Sequence, residues 1–218
     1  GDDLGFEKTC VYFDGDFLTD HAVLLLMSSS CPVTTFKSQH FLATDKRMVI
    51  TGADPASRCV TEINGLPAAR EYARLSGVDV EELNPDRFAL SPVVVLVNGE
   101  EYVRSIQKAN PDGSLTFHCA IEEGLVIRIA EGVDLREHLS TELAAAAHRI
   151  GEPQVILGCD CVLRNREVTQ GKFKEDVSEL MEAHRVVGFS SYGEQYGSVH
   201  VNQTFTALAI GQPGGGEE

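Results

Sequence analysis

The alternation of apolar and polar positions divides the chain into a β-rich first third, a mixed middle and a final stretch of strands and helices. Strand side chains alternate faces with period two, and helical ones recur every three to four residues. Thr9 to Phe13 and Ala22 to Met27 read as strands, with Asp14-Gly15-Asp16 as a hairpin-type link. Val33 to Phe41 is a longer alternating run. Arg47 to Thr51 and Arg58 to Ile63 flank the turn former Gly52-Ala53-Asp54-Pro55, and Asn64-Gly65 closes this third. Pro67 to Ser76 predicts a helix, because proline is at home in a first turn and Gly77 suits the position after the last. Asp79 and Pro85 each open a short helical turn. Four strands follow: Val93 to Val97, Glu101 to Gln107 beyond the turn pair Asn98-Gly99, Leu115 to Cys119, and Leu125 to Ala130. Their short links predict an antiparallel meander.

Asp134 with Glu137 three residues on forms a capping box, and Leu135, Leu139, Leu143, Ala146 and Ile150 make the buried stripe of the helix it starts. Gln154 to Asp160 is nearly continuous in apolar residues, as a central strand is. A further amphipathic helix is expected from about Gln170 to His184, with Phe173, Val177, Leu180 and Met181 inward. Val186 to Ser191 is a short strand. Glycines 193 and 197 bracket a loop, and Val199 to Ile210 alternates for a dozen residues. One face of that run carries Val199, Val201, Gln203, Phe205 and Ala207; the other carries His200, Asn202, Thr204 and Thr206. A face rich in uncharged donors and acceptors suits a pocket wall as well as a solvated strand. Together these elements predict an α+β fold with mixed or antiparallel sheets, a four-strand meander and two to three packed helices.

Composition narrows the class. The 218 residues, 43% hydrophobic and 23% charged, are those of a globular protein. No apolar run approaches the ~20 residues of a membrane span. A net charge of −15 argues against nucleic acid or an anionic membrane as partner, since both select basic patches. No secretory signal is visible. The opening Gly-Asp-Asp-Leu-Gly-Phe, without an initiator Met, is expected of a fragment or a processed product. The six cysteines show neither a disulfide framework nor a CxxC pair, so free thiols and a cytoplasmic setting are expected. Gln212 to Glu218 reads as a flexible tail. P-loop, GxGxxG, GxSxG and HExxH motifs are all missing.

Several dispersed motifs resemble the FIST family, sensory domains named for F-box and intracellular signal-transduction proteins. They are Glu62-Ile-Asn-Gly-Leu-Pro-Ala-Ala-Arg-Glu-Tyr72, Tyr102-Val-Arg-Ser-Ile106, Pro111-Asp-Gly-Ser-Leu115, Cys161-Val-Leu-Arg164, Gly188-Phe-Ser-Ser-Tyr-Gly-Glu194 and Asn202-Gln-Thr204. The resemblance implies the end of an N-terminal FIST portion over residues 1–65, a C-terminal FIST domain over 66–211 and a tail over 212–218. It also implies a ligand-binding sensory role in bacterial signal transduction. The ligand would be a polar metabolite such as an amino acid, or haem for nitric oxide sensing. The output would pass to a histidine kinase or a cyclic-nucleotide signalling enzyme, with oligomerisation left open.

The residues named for such a pocket are Arg104, Cys161, Arg164, Tyr192, Glu194, Asn202 and Gln203, with His200 as a haem ligand. Arg104 and Glu194 together would suit the two charges of an amino acid. Neutral imidazole is a common axial ligand, and Cys31-Pro32 is a dipeptide found at some haem-responsive sites. Each residue also has a plain alternative, as a satisfied strand histidine, a loop cysteine or a surface ion pair. Two further functions stay open at this point. One is an enzyme with Cys161 as nucleophile, activated by Arg164 and served by His200 as base. The other is a protein-interaction module.

Overall fold

The computed structural model of the chain describes residues 8–97 and 99–214. Its first hairpin, β1 (Val11–Phe13) with β2 (Asp16–Leu18), turns at Asp14 and Gly15, both with positive φ as a two-residue primed turn requires. The expected strand from Ala22 to Met27 does not form. Residues 21–29 carry no strand or helix, and Leu24 and Leu26 are 92% and 99% exposed. The composition suits a strand, but no neighbour offers the backbone a ladder, and a lone strand has nothing to hold it.

The next run is cut in two at Gln39-His40, giving β3 (Val33–Ser38) and β4 (Phe41–Asp54). β5 (Cys59–Ile63) and the two-residue β6 (Leu66–Pro67) lead into α1 (Ala68–Ser76), which ends at Gly77 in the left-handed conformation as expected. A 3-10 turn at Val80–Glu82 precedes α2 (Pro85–Leu90), whose start is capped by the Asn84 side chain accepting from the Asp86 and Arg87 N–H groups. Then come β7 (Val93–Val97), β8 (Glu100–Arg104), β9 (Ile106–Ala109), β10 (Leu115–Phe117) and β11 (Val126–Gly132). Gly99 has φ +87, in keeping with the tight turn; Asn98 lies outside the described residues.

These strands order as β8-β7-β11-β4-β5-β10-β9, with every pairing antiparallel. The first and last strands of that order are consecutive in the chain, with Ser105 alone between them. The sheet must therefore curl until its two edges meet at Ser105. β4 turns the opposite corner, pairing with β11 through Val49 and with β5 from Ile50 onward. Met48, Ile50, Val93, Leu115 and Ile127 fill the interior, and Tyr72 of α1 packs into the same core. Of the predicted meander, β7 pairs with β8 and β9 with β10. The strand expected over Glu101 to Gln107 is split at Ser105 into β8 and β9, which lie at opposite ends of the sheet order. The last strand, β11, returns beside β7 instead of β10, because curling brings β5 against β10 first.

The remaining elements are α3 (Leu135–Ile150), β12 (Val155–Cys161), α4 (Val162–Gln170), α5 (Lys174–Ala183), β13 (Val186–Ser191), β14 (Glu194–Tyr196), β15 (Val199–Val201) and β16 (Phe205–Ile210). They build a sheet ordered β13-β12-β16-β3, in which β12 and β13 are the parallel pair and α4-α5 make the crossover. The expected stripe of α3 is buried in full. The helix expected over residues 170–184 begins later, at Lys174, and Lys172 with φ +60 separates it from α4. In Cys161-Val-Leu-Arg164 the cysteine ends β12, and the next three residues form the first turn of α4. The dozen-residue strand from Val199 divides into β15 and β16 around Gln203, which has φ +52. The fold is thus α+β with mixed sheets, and β3, β4 and β5 weave the first third of the chain into both of them.

Gly188 faces Gly158 across the parallel pair, and a Cβ on Gly188 would fall on the Gly158 carbonyl oxygen. Gly188→Ala must therefore push the edge strand β13 away from its neighbour β12. Urea unfolding is expected to show a loss above about 2 kcal/mol. Gly197→Ala meets open space at φ +55 and should cost only about 1 kcal/mol.

Candidate functional site

The short link between β15 and β16 places three polar side chains, Asn202, Gln203 and Thr204, at 0% exposure. A buried polar group without a partner is costly, so their partners define the local structure. Gln203 Oε1 accepts from Ser105 Oγ at 2.9 Å, and its Nε2 donates to the Ala89 carbonyl at 2.9 Å. Asn202 Oδ1 accepts from the Ser105 N–H at 3.5 Å. Thr204 Oγ1 donates to Glu194 Oε2. One turn thus joins the closing corner of the barrel, the end of α2 and the β14–β15 hairpin. The left-handed backbone at Gln203 is what lets consecutive side chains reach these different neighbours.

Beside the turn lies a cleft of about 260 Å³. Pro85, Phe88 and Ala89 of α2 form one wall. Val162, Leu163 and Arg166 of α4 form another, and Ser105, Ile106, Gln107, His118 and Gln203 form the floor. Arg166 Nη2 pairs with Asp86 Oδ1 at 2.6 Å, and Gln170 Nε2 donates to the same oxygen at 3.1 Å, so a polar bridge links α2 to α4 at the rim. Burial, with the Arg58 and His200 charges adding to it, holds the His118 imidazole below its ordinary pKa, so it is neutral at pH 7. The cleft is an apolar cavity with a few convergent hydrogen-bonding groups and no fixed net charge on its floor.

A second polar cluster sits at the carboxyl ends of the parallel strands. Glu194 is 5% exposed, and its carboxyl accepts from Ser191 Oγ and Thr204 Oγ1. Burial pushes its pKa up to about 7 against the pull of those two hydroxyls, and the Asp160 charge adds to the rise. Asp160 is also raised by burial, with Arg164 opposing. Arg164 is fully buried, donates from Nη1 to Asp160 Oδ1 at 2.7 Å and stacks near Phe205, 5.7 Å from the ring centre. Its Nε and Nη2 have no partner among the described residues.

The predicted site residues therefore split into groups. Gln203 lines the cleft, and Asn202 holds its floor from behind. Glu194, Arg164 and Cys161 belong to the buried cluster. Tyr192 is half-buried in the bend between β13 and β14. Arg104 donates from Nη1 to the His200 carbonyl at 2.6 Å, and no ion pair joins it to Glu194 among the described residues. Arg104 is thus held by the β15 backbone and Glu194 by two hydroxyls, while the buried Arg104 Nε has no hydrogen-bond partner among the described residues. Cys161 is a buried thiol whose pKa rises to about 11, chiefly from burial and then from the Glu194 charge. A nucleophile needs the opposite, so the Cys161 enzyme reading does not fit this geometry. His200 Nε2 lies 3.5 Å from Asn202 Nδ2 and close to where a Cβ on Gly193 would sit. In this arrangement Nε2 faces Asn202 rather than standing open to a haem iron. Beside Cys31, a free and half-buried thiol, the Pro32 carbonyl accepts from the Gly211 N–H at 2.8 Å. Among the described residues no group of three or more His, Cys, Asp or Glu is placed to hold a metal ion.

Sequence reasoning missed Ser105, Ala89, Leu163 and Arg166. Ser105 left one signal, a polar residue between two apolar-patterned runs. The others are placed by contacts across distant parts of the chain.

Glu194 sets a pH dependence. Its carboxyl has a pKa of 4.5 when exposed and about 7 in the fold. The folded state therefore keeps a proton that the unfolded chain releases between these values. The stabilisation is complete below about pH 4.5 and is lost as pH rises to about 7, a change of roughly 3 kcal/mol. Urea titrations at about pH 5 and about pH 8 should show that loss in the parent chain and a much flatter profile in Glu194→Gln. Parallel profiles would assign the proton to another group. Cys161 is also expected to resist alkylation at neutral pH until denaturant is added, and fast labelling would contradict its burial.

A FIST C domain model matches residues 68–197, and a FIST N domain model matches residues 1–66. No curated protein and no solved structure gives a match. The two matched segments account for most of the chain in the order that the motifs suggested, and the chain belongs to the FIST family of signal-transduction sensory domains.

Proposed function

We propose that the chain senses a small metabolite in the cleft between α2, β9 and α4. The observation that carries this reading is the position of Gln203. The same side chain lines the cleft and ties the closing corner of the barrel to α2. A ligand that competes for Ser105 or Gln203 must loosen or re-form those two hydrogen bonds. Occupancy of the cleft is thereby coupled to how the barrel, α2 and the β14–β15 hairpin sit together. A ligand shifts such an equilibrium only by its differential affinity for the two arrangements.

The lining selects the ligand's character. Phe88, Ile106, Val162 and Leu163 favour an apolar body, while Ser105, Gln203 and neutral His118 favour one end that donates and accepts hydrogen bonds. This departs from an amino-acid zwitterion held by Arg104 and Glu194, and from haem on His200. The receiving partner in this reading is a signalling enzyme, a histidine kinase or a cyclic-nucleotide enzyme, that responds to the altered surface around α2 and the hairpin.

Leu163→Trp fills the cleft from α4 and tests the proposal. A thermal-shift screen of small uncharged and singly polar metabolites should give hits that raise Tm for the parent chain. A ligand at a hundredfold excess over its Kd stabilises by about 2.7 kcal/mol, an easily resolved shift. The same hits should fail with Leu163→Trp, whose own unfolding remains cooperative. Hits that persist in that variant would place the ligand elsewhere and overturn the assignment of the cleft.

A further inference from the structure

A larger groove, of about 540 Å³, lies on the outer face of the barrel, and no residue is shared between it and the cleft. Val94, Leu96, Leu125 and Val126 give it an apolar floor. Val94 is buried, while Leu96 is 63% exposed. Two arginines, Arg47 of β4 and Arg128 of β11, stand on its border and are direct partners across the antiparallel ladder.

That pair is unusual on electrostatic grounds. Directly opposite side chains on antiparallel strands have Cβ atoms about 5 Å apart, and like charges in that position repel. The chain carries a net charge of −15, so acidic partners are plentiful. Yet neither guanidinium forms an ion pair among the described residues. Arg128 Nη1 makes a long contact of 3.4 Å to the Thr44 carbonyl. The one carboxylate lining the groove, Glu101, is engaged by the Ala43 N–H at 3.0 Å. The donors of Arg47 and the remaining ones of Arg128 are therefore available to converge on one oxyanion, and a planar carboxylate matches that donor geometry.

We propose that this groove is a second binding site, selective for a small amphipathic anion: one carboxylate held between Arg47 and Arg128, and a short apolar chain laid over Val94, Leu96 and Val126. The anion relieves the repulsion between the arginines, and the apolar chain covers Leu96. Neither half of the ligand is sufficient alone, because exposed arginine–carboxylate contacts are weak in water and the apolar floor is shallow. The edge strand beside the groove is closed to an added backbone. Gln39 occupies its hydrogen-bonding groups, accepting from the Val103 N–H at 3.1 Å and donating to the Glu101 carbonyl at 3.1 Å. That closure favours a side-chain groove for a small ligand over strand addition by a partner protein.

Octanoate is the probe, with octanol as its uncharged counterpart, both below micellar concentration. In methyl-labelled full chain, octanoate is expected to shift the Val94, Leu96, Leu125 and Val126 methyl resonances in a saturable way. Octanol should need about tenfold more for the same shift. Arg47→Gln combined with Arg128→Gln should weaken octanoate about tenfold and leave octanol unchanged. Both arginines are exposed and mutually repelling, so the double variant folds, and its unperturbed core methyl spectrum verifies this. Leu163→Trp, which fills the cleft, should leave the octanoate shifts intact, so the two sites stand or fall separately. Absence of shifts in these four residues, equal response to octanol, or undiminished binding by the double variant would overturn the proposal.

Discussion

Closure of the barrel at Ser105 is the constraint on which the rest of the molecule depends. Strands β8 and β9 are the two edges of one sheet, yet one residue separates them in the chain. A corner that sharp leaves backbone and side-chain polar groups facing inward, and they have to be satisfied by something from outside the barrel. Asn202 and Gln203 supply that from the turn between β15 and β16. A fully satisfied buried polar network specifies one arrangement, because any slippage leaves several groups unpaired at once. The barrel and the α/β sheet are thus joined by a contact that tolerates few alternatives, and the cleft lies beside it.

The α/β unit carries a different tension. Arg164, Asp160 and Glu194 bring one positive and two acidic groups into a nearly dry interior. Replacing such groups with apolar residues is often neutral or stabilising, so their presence is weak evidence for stability. What they do is position elements: Glu194 fastens the β14–β15 hairpin to the ends of β13 and β16 through two hydroxyls, and Arg164 holds the first turn of α4 against β12. Thr204, next to Gln203, links this cluster to the barrel closure. The protonation of one carboxyl and the hydrogen bonds of one amide are therefore neighbours along the same turn.

Local signals were legible in the sequence wherever the chain makes its own case. Helix α1 is announced by Pro67 and Gly77, α3 by Asp134 and a regular apolar stripe, and the β7–β8 hairpin by its glycine turn. Ala22 to Met27 has strand composition, but pairing is a property of neighbours, and none is presented. Helix α4 was hidden because it starts from Cys161, with none of the usual Ser, Thr, Asp or Asn caps. Of the site, Asn202, Gln203 and Glu194 were visible as polar residues in apolar surroundings. The strand break at Gln203 was not, because it is imposed by Ser105 and Ala89, 98 and 114 residues away in the chain. The protein partners of Arg104 and Glu194, a backbone carbonyl and two hydroxyls, were hidden for the same reason, since only the fold brings them near.

The exposed run Ala22-Val-Leu-Leu-Leu-Met27 has a consequence for the behaviour of the chain in bulk solution. It is uncharged, apolar throughout, largely exposed and free of proline, so nothing within it opposes contact between copies. What holds copies apart is the net charge of −15. That protection is long-ranged only while the solution is dilute in ions, since repulsion is screened beyond about 10 Å at 0.1 M salt and about 3 Å at 1 M. Colloidal stability of this molecule is thus a contest between one six-residue ribbon and the ionic strength around it, with salt acting on the side of association.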